Sequence, residues 1–262
     1  LPECQADCEA ETFTVHLDSK PGKEVLLKLT NHFFFCRYLI FKRMRTRAGA
    51  RGTWFFLGKI DWDDNKYEDS WHQVRQTGHK HWLIIRGQTG SGTGFESYDD
   101  TWYDVSKRGI RIVLNYTAKE GIYQWPKGVG WKLRSRIMPS SGHKSTVGIR
   151  FRASYTGLNY ITNKYPFLFS KTRSIMFKWN SREKRFAFSN SGSQVSKEEF
   201  ESVYQGRSWN EDAVLKYNLH DFEKIANGVD NKRKEWLRDF LTGCKNTAEK
   251  AALLQALRPL PV

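Results

Sequence analysis

The sequence predicts a mainly β protein with a C-terminal α-helical segment, α+β overall, its strands forming an antiparallel sandwich, jelly-roll or barrel. Three observations lead there. From about residue 12 to residue 190, apolar and polar side chains alternate with period two in many short runs. Glycine and polar clusters separate those runs at the spacing of hairpin turns. Beyond about residue 195 the period turns helical and the segment ends carry capping residues. The expected organisation is a β-rich domain over 1–194 and a helical segment over 195–262, packed on it or forming a small subdomain.

"HFFFCRYLIF" (32–41) reads as a buried strand, too short and too interrupted by Arg37 to span a membrane. In "GTWFFLGKIDW" (52–62), alternation puts Trp54, Phe56, Ile60 and Trp62 on one face. "TGHKHWLIIRG" (77–87) is a further strand, headed by His79 and His81. The glycine-rich "RGQTGSGTGFESYDD" (86–100) reads as a flexible surface loop; it lacks the Gly-Lys-Ser/Thr ending of a phosphate-binding loop. "RGIRIVLNY" (108–116) sets Ile110, Ile112, Leu114 and Tyr116 against Arg111, Val113 and Asn115. "STVGIRFRASY" (145–155) turns Val147, Ile149, Phe151 and Ala153 inward and Arg150 and Arg152 outward. "SIMFKW" and "KRFAFS", divided by the polar "NSRE", make a hairpin.

Four helical stretches follow. Ser196 with Glu199 is a capping box. Asp212 to Ala226 is a second helix stopped by Gly228. Asp230 caps a third, running to Thr242 with Trp236, Leu237, Phe240 and Leu241 as its apolar stripe. The last begins near Thr247 and stops before Pro259.

Composition narrows the function. Aromatic residues make up 15% of the 262, too many for a disordered chain. The balance of 43 Lys+Arg against 28 Asp+Glu gives a net charge of +15. Such a surface attracts polyanions: an acidic polysaccharide, a nucleic acid or, as a lesser alternative, an anionic membrane. Cys4, Cys8, Cys36 and Cys244 suggest two disulfides in preference to free thiols or a zinc site; the sequence does not choose among the three pairings, and an N-terminal cysteine could bond Cys244. Oxidised cysteines and the sequon "NYT" (115–117) point to a secreted or periplasmic glycoprotein.

Candidate chemistry is sparse. On a strand His79 and His81 share a face, so with His72 they could hold zinc, or one could act as a base. Two histidines at a strand edge explain the spacing equally well, and the flanking Lys80 and Arg86 disfavour a metal. His143, in "SSGHKS", sits in a loop suited to an oxyanion. Asp99, Asp100 and Asp104 in "YDDTWYD" and Asp61, Asp63 and Asp64 in "DWDDN" are turn formers or calcium ligands, lacking the glycine and distal glutamate of an EF-hand loop. Neither G-x-S-x-G nor H-E-x-x-H occurs, and no cofactor is expected. More informative is the interleaving of rings and cations over 111–136 and 150–167. Flat rings stack on sugars or bases, and guanidinium forks grip carboxylate, sulfate or phosphate. The expected binding residues are Trp125, Lys132, Arg134, Arg150, Arg152 and Tyr155. The leading function is binding of an anionic polymer. The alternatives are a lyase or nuclease using His79, His81 or His143 as base, and a toxin or host-interaction protein.

Overall fold

A computed structural model describes residues 8–17, 24–31, 35–44, 52–62, 71–78, 80–92, 94–122, 129–139, 145–157, 167–205 and 210–258. The chain is mostly antiparallel β, with helices at its C-terminal end. The first sheet is a meander of β1 (Cys8–Val15), β2 (Glu24–Asn31), β3 (Phe35–Met44) and β4 (Thr53–Trp62). The second is a longer meander of β5 (Trp71–Thr77), β6 (Lys80–Gly92), β7 (Phe95–Ser106), β8 (Gly109–Ile122), β9 (Val129–Ile137), β10 (Thr146–Gly157), β11 (Phe167–Asn180) and β12 (Arg185–Ser189).

The long sheet is strongly rolled. Trp82 of β6 meets Trp179 of β11 and Phe186 of β12 at ring separations of 5.3 and 5.5 Å, although several strands lie between them in the sheet. The roll does not close into a barrel. Its inner face carries Leu133, Ile149, Phe151, Ala153, Tyr155, Ile175 and Phe177, all buried. Helical residues fill this trough: α1 (Lys197–Glu199), running into a π-helical turn (Phe200–Tyr204), then α2 (Glu211–Tyr217), α3 (Leu219–Asn227), α4 (Asn231–Gly243) and α5 (Ala248–Ala256). Phe200 touches Phe151 and Phe177, while Phe222 bridges Phe169 and Phe240. Each such ring, fully buried, contributes roughly 1.5–3 kcal/mol. The capping signals work as the sequence suggests. Side chains of Ser196, Asp230 and Thr247 accept from the first-turn amides of α1, α4 and α5.

The first sheet covers the outer face of the long sheet over β5–β8. Leu26, Tyr38, Ile40 and Ile60 pack there against Leu83, Ile85, Tyr103 and Val105. Strand β6 is thus buried on both faces, which explains its unbroken "WLII". Phe13 and Tyr38 lie over His72 of β5, and Gly58 lies over Ile110 of β8. A Cβ at position 58 would sit 2.8 Å from the Ile110 side chain, so only glycine allows this approach.

Several expectations are corrected. The glycine-rich segment is no loop: it forms the ends of β6 and β7, joined near Gly94 at φ 78°. Bulges break the alternation of β4 and β8. Leu57 is the extra residue between Phe56 and Gly58, and Trp54, Phe55 and Phe56 are all exposed. Val113 is the extra residue in β8, so Val113 and Leu114 are both buried and Ile112 faces solvent. The helix expected over 212–226 divides at Asn218, whose buried amide donates to the Val214 carbonyl at 2.8 Å. Cys36 and Cys244 are both buried, and neither is in a disulfide. They belong to cores on opposite faces of the long sheet, where each packs as a small apolar side chain. The expected two-disulfide frame, with its link to Cys244, is not formed.

Candidate basic binding face

Beyond the cover of the first sheet, β9, β10 and β11 present their outer face to solvent. Alternation decides what stands there. Strand β10 turns Phe151, Ala153 and Tyr155 inward and Arg150 and Arg152 outward, and β9 does the same with Trp131 and Leu133 against Lys132, Arg134 and Arg136. Register then aligns the cations. Arg152 pairs with Arg134, Arg150 with Arg136, and Ser154 with Lys132. On the other side Arg150 faces Ser174, Arg152 faces Thr172, and Ser154 faces Ser170. Lys178 extends the face at one end, opposite Thr146. Side chains two apart on one strand are about 6.7 Å apart, and neighbouring strands lie about 4.8 Å apart. The face is therefore a two-dimensional grid of cations edged by a column of hydroxyls.

Among the described residues, no carboxylate pairs with Lys132, Arg134, Arg136, Arg150, Arg152 or Lys178. On this face the nearest acidic side chain in the register is Glu96, which Lys119 neutralises at 3.0 Å. Lys119 also lies 4.9 Å from the Tyr98 ring, an aromatic neighbour of the face that alternation did not reveal. Two like charges 4 Å apart repel by about 1 kcal/mol even in water.

Lys132, Arg134, Arg150 and Arg152 thus come together as expected, and Arg136 and Lys178 join them. Tyr155 does not: it is wholly buried, its ring 5.5 Å from Trp131 and 4.6 Å from Phe169. The interleaving of rings and cations in these strands is a two-sided sheet, rings in and cations out. Trp125, His79 and His143 lie outside the described residues. His81 is on β6 with its Nδ1 buried and without a hydrogen-bond partner. His72 faces Ile85 while His81 faces Gln76, so about 13 Å of strand separates the two histidines and they cannot share a metal. His72 is held below the ordinary imidazole range by burial, helped by the charge of Lys28.

Asp63 and Asp64 lie outside the described residues, and Asp61, Asp99, Asp100 and Asp104 all have partners. Asp100 is buried and receives two bonds from Arg86, at 2.7 and 2.9 Å, and one from the Tyr116 hydroxyl at 2.9 Å. Burial, then the neighbouring Asp100 charge, pushes the Tyr116 phenol well up. Asp61 pairs with Arg37 and Lys59. Glu120 is 3% exposed and accepts from the Trp131 indole at 2.9 Å. Burial pushes its carboxyl up to about 7, against the indole bond and with the Asp99 charge. No group of three or more His, Cys, Asp or Glu side chains converges among the described residues. Asn115, the sequon residue, lies mid-strand with its amide nitrogen donating to Thr101 at 2.7 Å, an unsuitable posture for carrying a glycan. Among the described residues no helix is long and apolar enough to cross a membrane. No protein-family model, curated protein or solved structure matches the chain.

Proposed function

We propose that the protein binds an acidic polysaccharide along the outer face of β9–β11. The supporting observation is the pair of cross-strand arginine rungs, Arg134–Arg152 and Arg136–Arg150, standing in solvent with no carboxylate paired to them among the described residues. Like charges placed directly opposite one another destabilise a sheet, so the fold gains nothing from them. An anionic polymer laid across the rungs turns that repulsion into attraction. A polysaccharide fits better than a single-stranded nucleic acid, because the rings alternating with these cations turn inward and offer bases no stacking platform. The hydroxyls of Ser170, Thr172 and Ser174 beside the arginines suit sugar hydroxyls. A secreted location belongs to the same proposal, since it is there that such polymers are met.

The test is binding of polygalacturonate, heparin, single-stranded DNA and duplex DNA to the wild type, to R150A/R152A and to the control K107A/K232A, at several salt concentrations. We expect glycan affinity to fall at least tenfold in R150A/R152A, to stay put in the control, and to weaken steeply with salt. Tighter binding of either DNA than of both glycans would overturn the polysaccharide assignment. Salt-independent binding, or no binding of any polyanion, would overturn the proposal as a whole.

A further inference from the structure

We infer that the basic face ends in a subsite for one carboxylate-bearing sugar at the end of the polysaccharide, built around Arg75. The inference rests on the proposed polysaccharide binding and extends it to residues that lie off the arginine grid.

The rung after Arg136–Arg150–Ser174 is Met138–Gly148–Met176. Gly148 faces Met176 in the register, and the Met138 amide donates to the Gly148 carbonyl at 2.8 Å. At this rung the row of cations gives way to a small cleft of about 50 Å³, open to solvent. Met138, Pro139, Gly148 and Met176 line it from one side, and Arg75 and Thr77 of β5 from the other. Gly148 shapes it: a Cβ there would lie 2.2 Å from the Met138 methyl and 3.1 Å from the Met176 sulfur. Any side chain at 148 drives the methionines into new positions.

Arg75 supplies the recognition. Its Nη2 donates to the Met138 carbonyl at 2.8 Å, and among the described residues no carboxylate pairs with it. It is half-buried, and burial works against its charge. A half-buried cation that lacks a counter-ion is costly, and a bound anion relieves that cost. The guanidinium fork matches the plane of a carboxylate, with two parallel hydrogen bonds. Thioether and proline walls suit the C–H face of a sugar ring. The cleft is far smaller than a ligand pocket of about 300–1,000 Å³, so it admits the carboxylate of one sugar while the ring rests on the methionine and proline rim. The rung that lines the cleft lies one step, about 6.7 Å, beyond Arg136 and Arg150, so the cleft adjoins the end of the grid.

The experiment is calorimetric titration of a galacturonate hexamer into the wild type, R75Q, G148A and R150A/R152A, with free galacturonate and its methyl ester as competitors. Thermal melts establish that each variant is folded. We expect R75Q and G148A each to weaken the hexamer about tenfold and to abolish competition by free galacturonate. R150A/R152A should weaken the hexamer yet retain competition by the monosaccharide. The methyl ester should not compete with any of them. If R75Q proves unfolded, R75K, which keeps the charge but loses the fork, should show the same loss. Wild-type hexamer affinity in R75Q or R75K, or competition by the ester equal to that by the acid, overturns the subsite and leaves the arginine grid standing. If the wild type binds heparin but no galacturonate hexamer, the subsite falls and the grid stands; if it binds no polyanion at all, both fall.

Discussion

Arg134 and Arg152 stand directly opposite one another on β9 and β10, with Lys119 opposite Arg134 on its other side. Opposed like charges cost about 0.2–1 kcal/mol relative to neutral pairs. The substitution R152E turns one repulsion into an ion pair. It should raise the melting temperature by about 2–4 °C while weakening polyanion binding. Added salt should stabilise the wild type more than R152E, because it screens repulsion. Melts in low and high sodium chloride read both effects. A variant less stable than the wild type would refute the claim that this rung is strained.

Glu120 makes stability depend on pH. Its carboxyl titrates at about 7 in the folded chain against an ordinary 4.5. Between those values the native chain holds a proton that the unfolded chain has released. The contribution is therefore complete below about pH 4.5 and is lost as the pH rises through about 7. The loss is on the order of 3 kcal/mol. E120Q keeps an oxygen for the Trp131 indole and has nothing to titrate. Urea unfolding at pH 5 and pH 8 should show E120Q gaining on the wild type at the higher pH, and equal slopes for the two proteins would contradict this.

The buried pair in the first sheet behaves differently. Lys42 donates to Glu24 at 2.6 Å, and the second Glu24 oxygen accepts from the Leu17 amide at 3.0 Å. Both side chains are almost fully enclosed. K42M alone strands a buried carboxylate and should cost about 3–5 kcal/mol. The double variant E24L/K42M should recover a good part of that. A double variant no better than the single one would show that the carboxylate is needed for Leu17 and not for the lysine.

The thiols of Cys36 and Cys244, which form no disulfide, should be silent until the protein unfolds. Burial pushes the Cys244 thiol up to about 12, reinforced by the Asp212 and Glu211 charges. Cys36 is enclosed in the other core. Titration with an aromatic disulfide reagent at pH 8 should find neither thiol in the native protein and both in denaturant. Fast labelling of either under native conditions would mean that its core opens readily.

The helices were legible because their ends are chemical: Ser196, Asp230 and Thr247 bond the amides that the first helical turn leaves free. The outward arginines were legible from the alternation in "IRFRAS" alone. Their assembly into rungs was not, because register joins strands through loops whose lengths say nothing about pairing. Rules of alternation fail where a bulge inserts a residue, as at Leu57 and Val113. Tyr155 was misjudged because a ring and a cation in sequence say nothing of which face each takes until one face is known to be core. Arg75 could not have been found at all, since Met138 approaches it from 63 residues away.

The trough of the long sheet is filled by side chains from Phe200 to Leu257, which a ribosome makes only after all the strands. At about 5–20 residues per second, the strands wait several seconds for their filling. During that interval Phe151, Phe169 and Phe177 lack their helical partners, and the nascent chain displays a wide apolar gutter. Expression of this protein should therefore depend on holding chaperones, and premature termination after β12 should yield an insoluble product in place of a smaller domain.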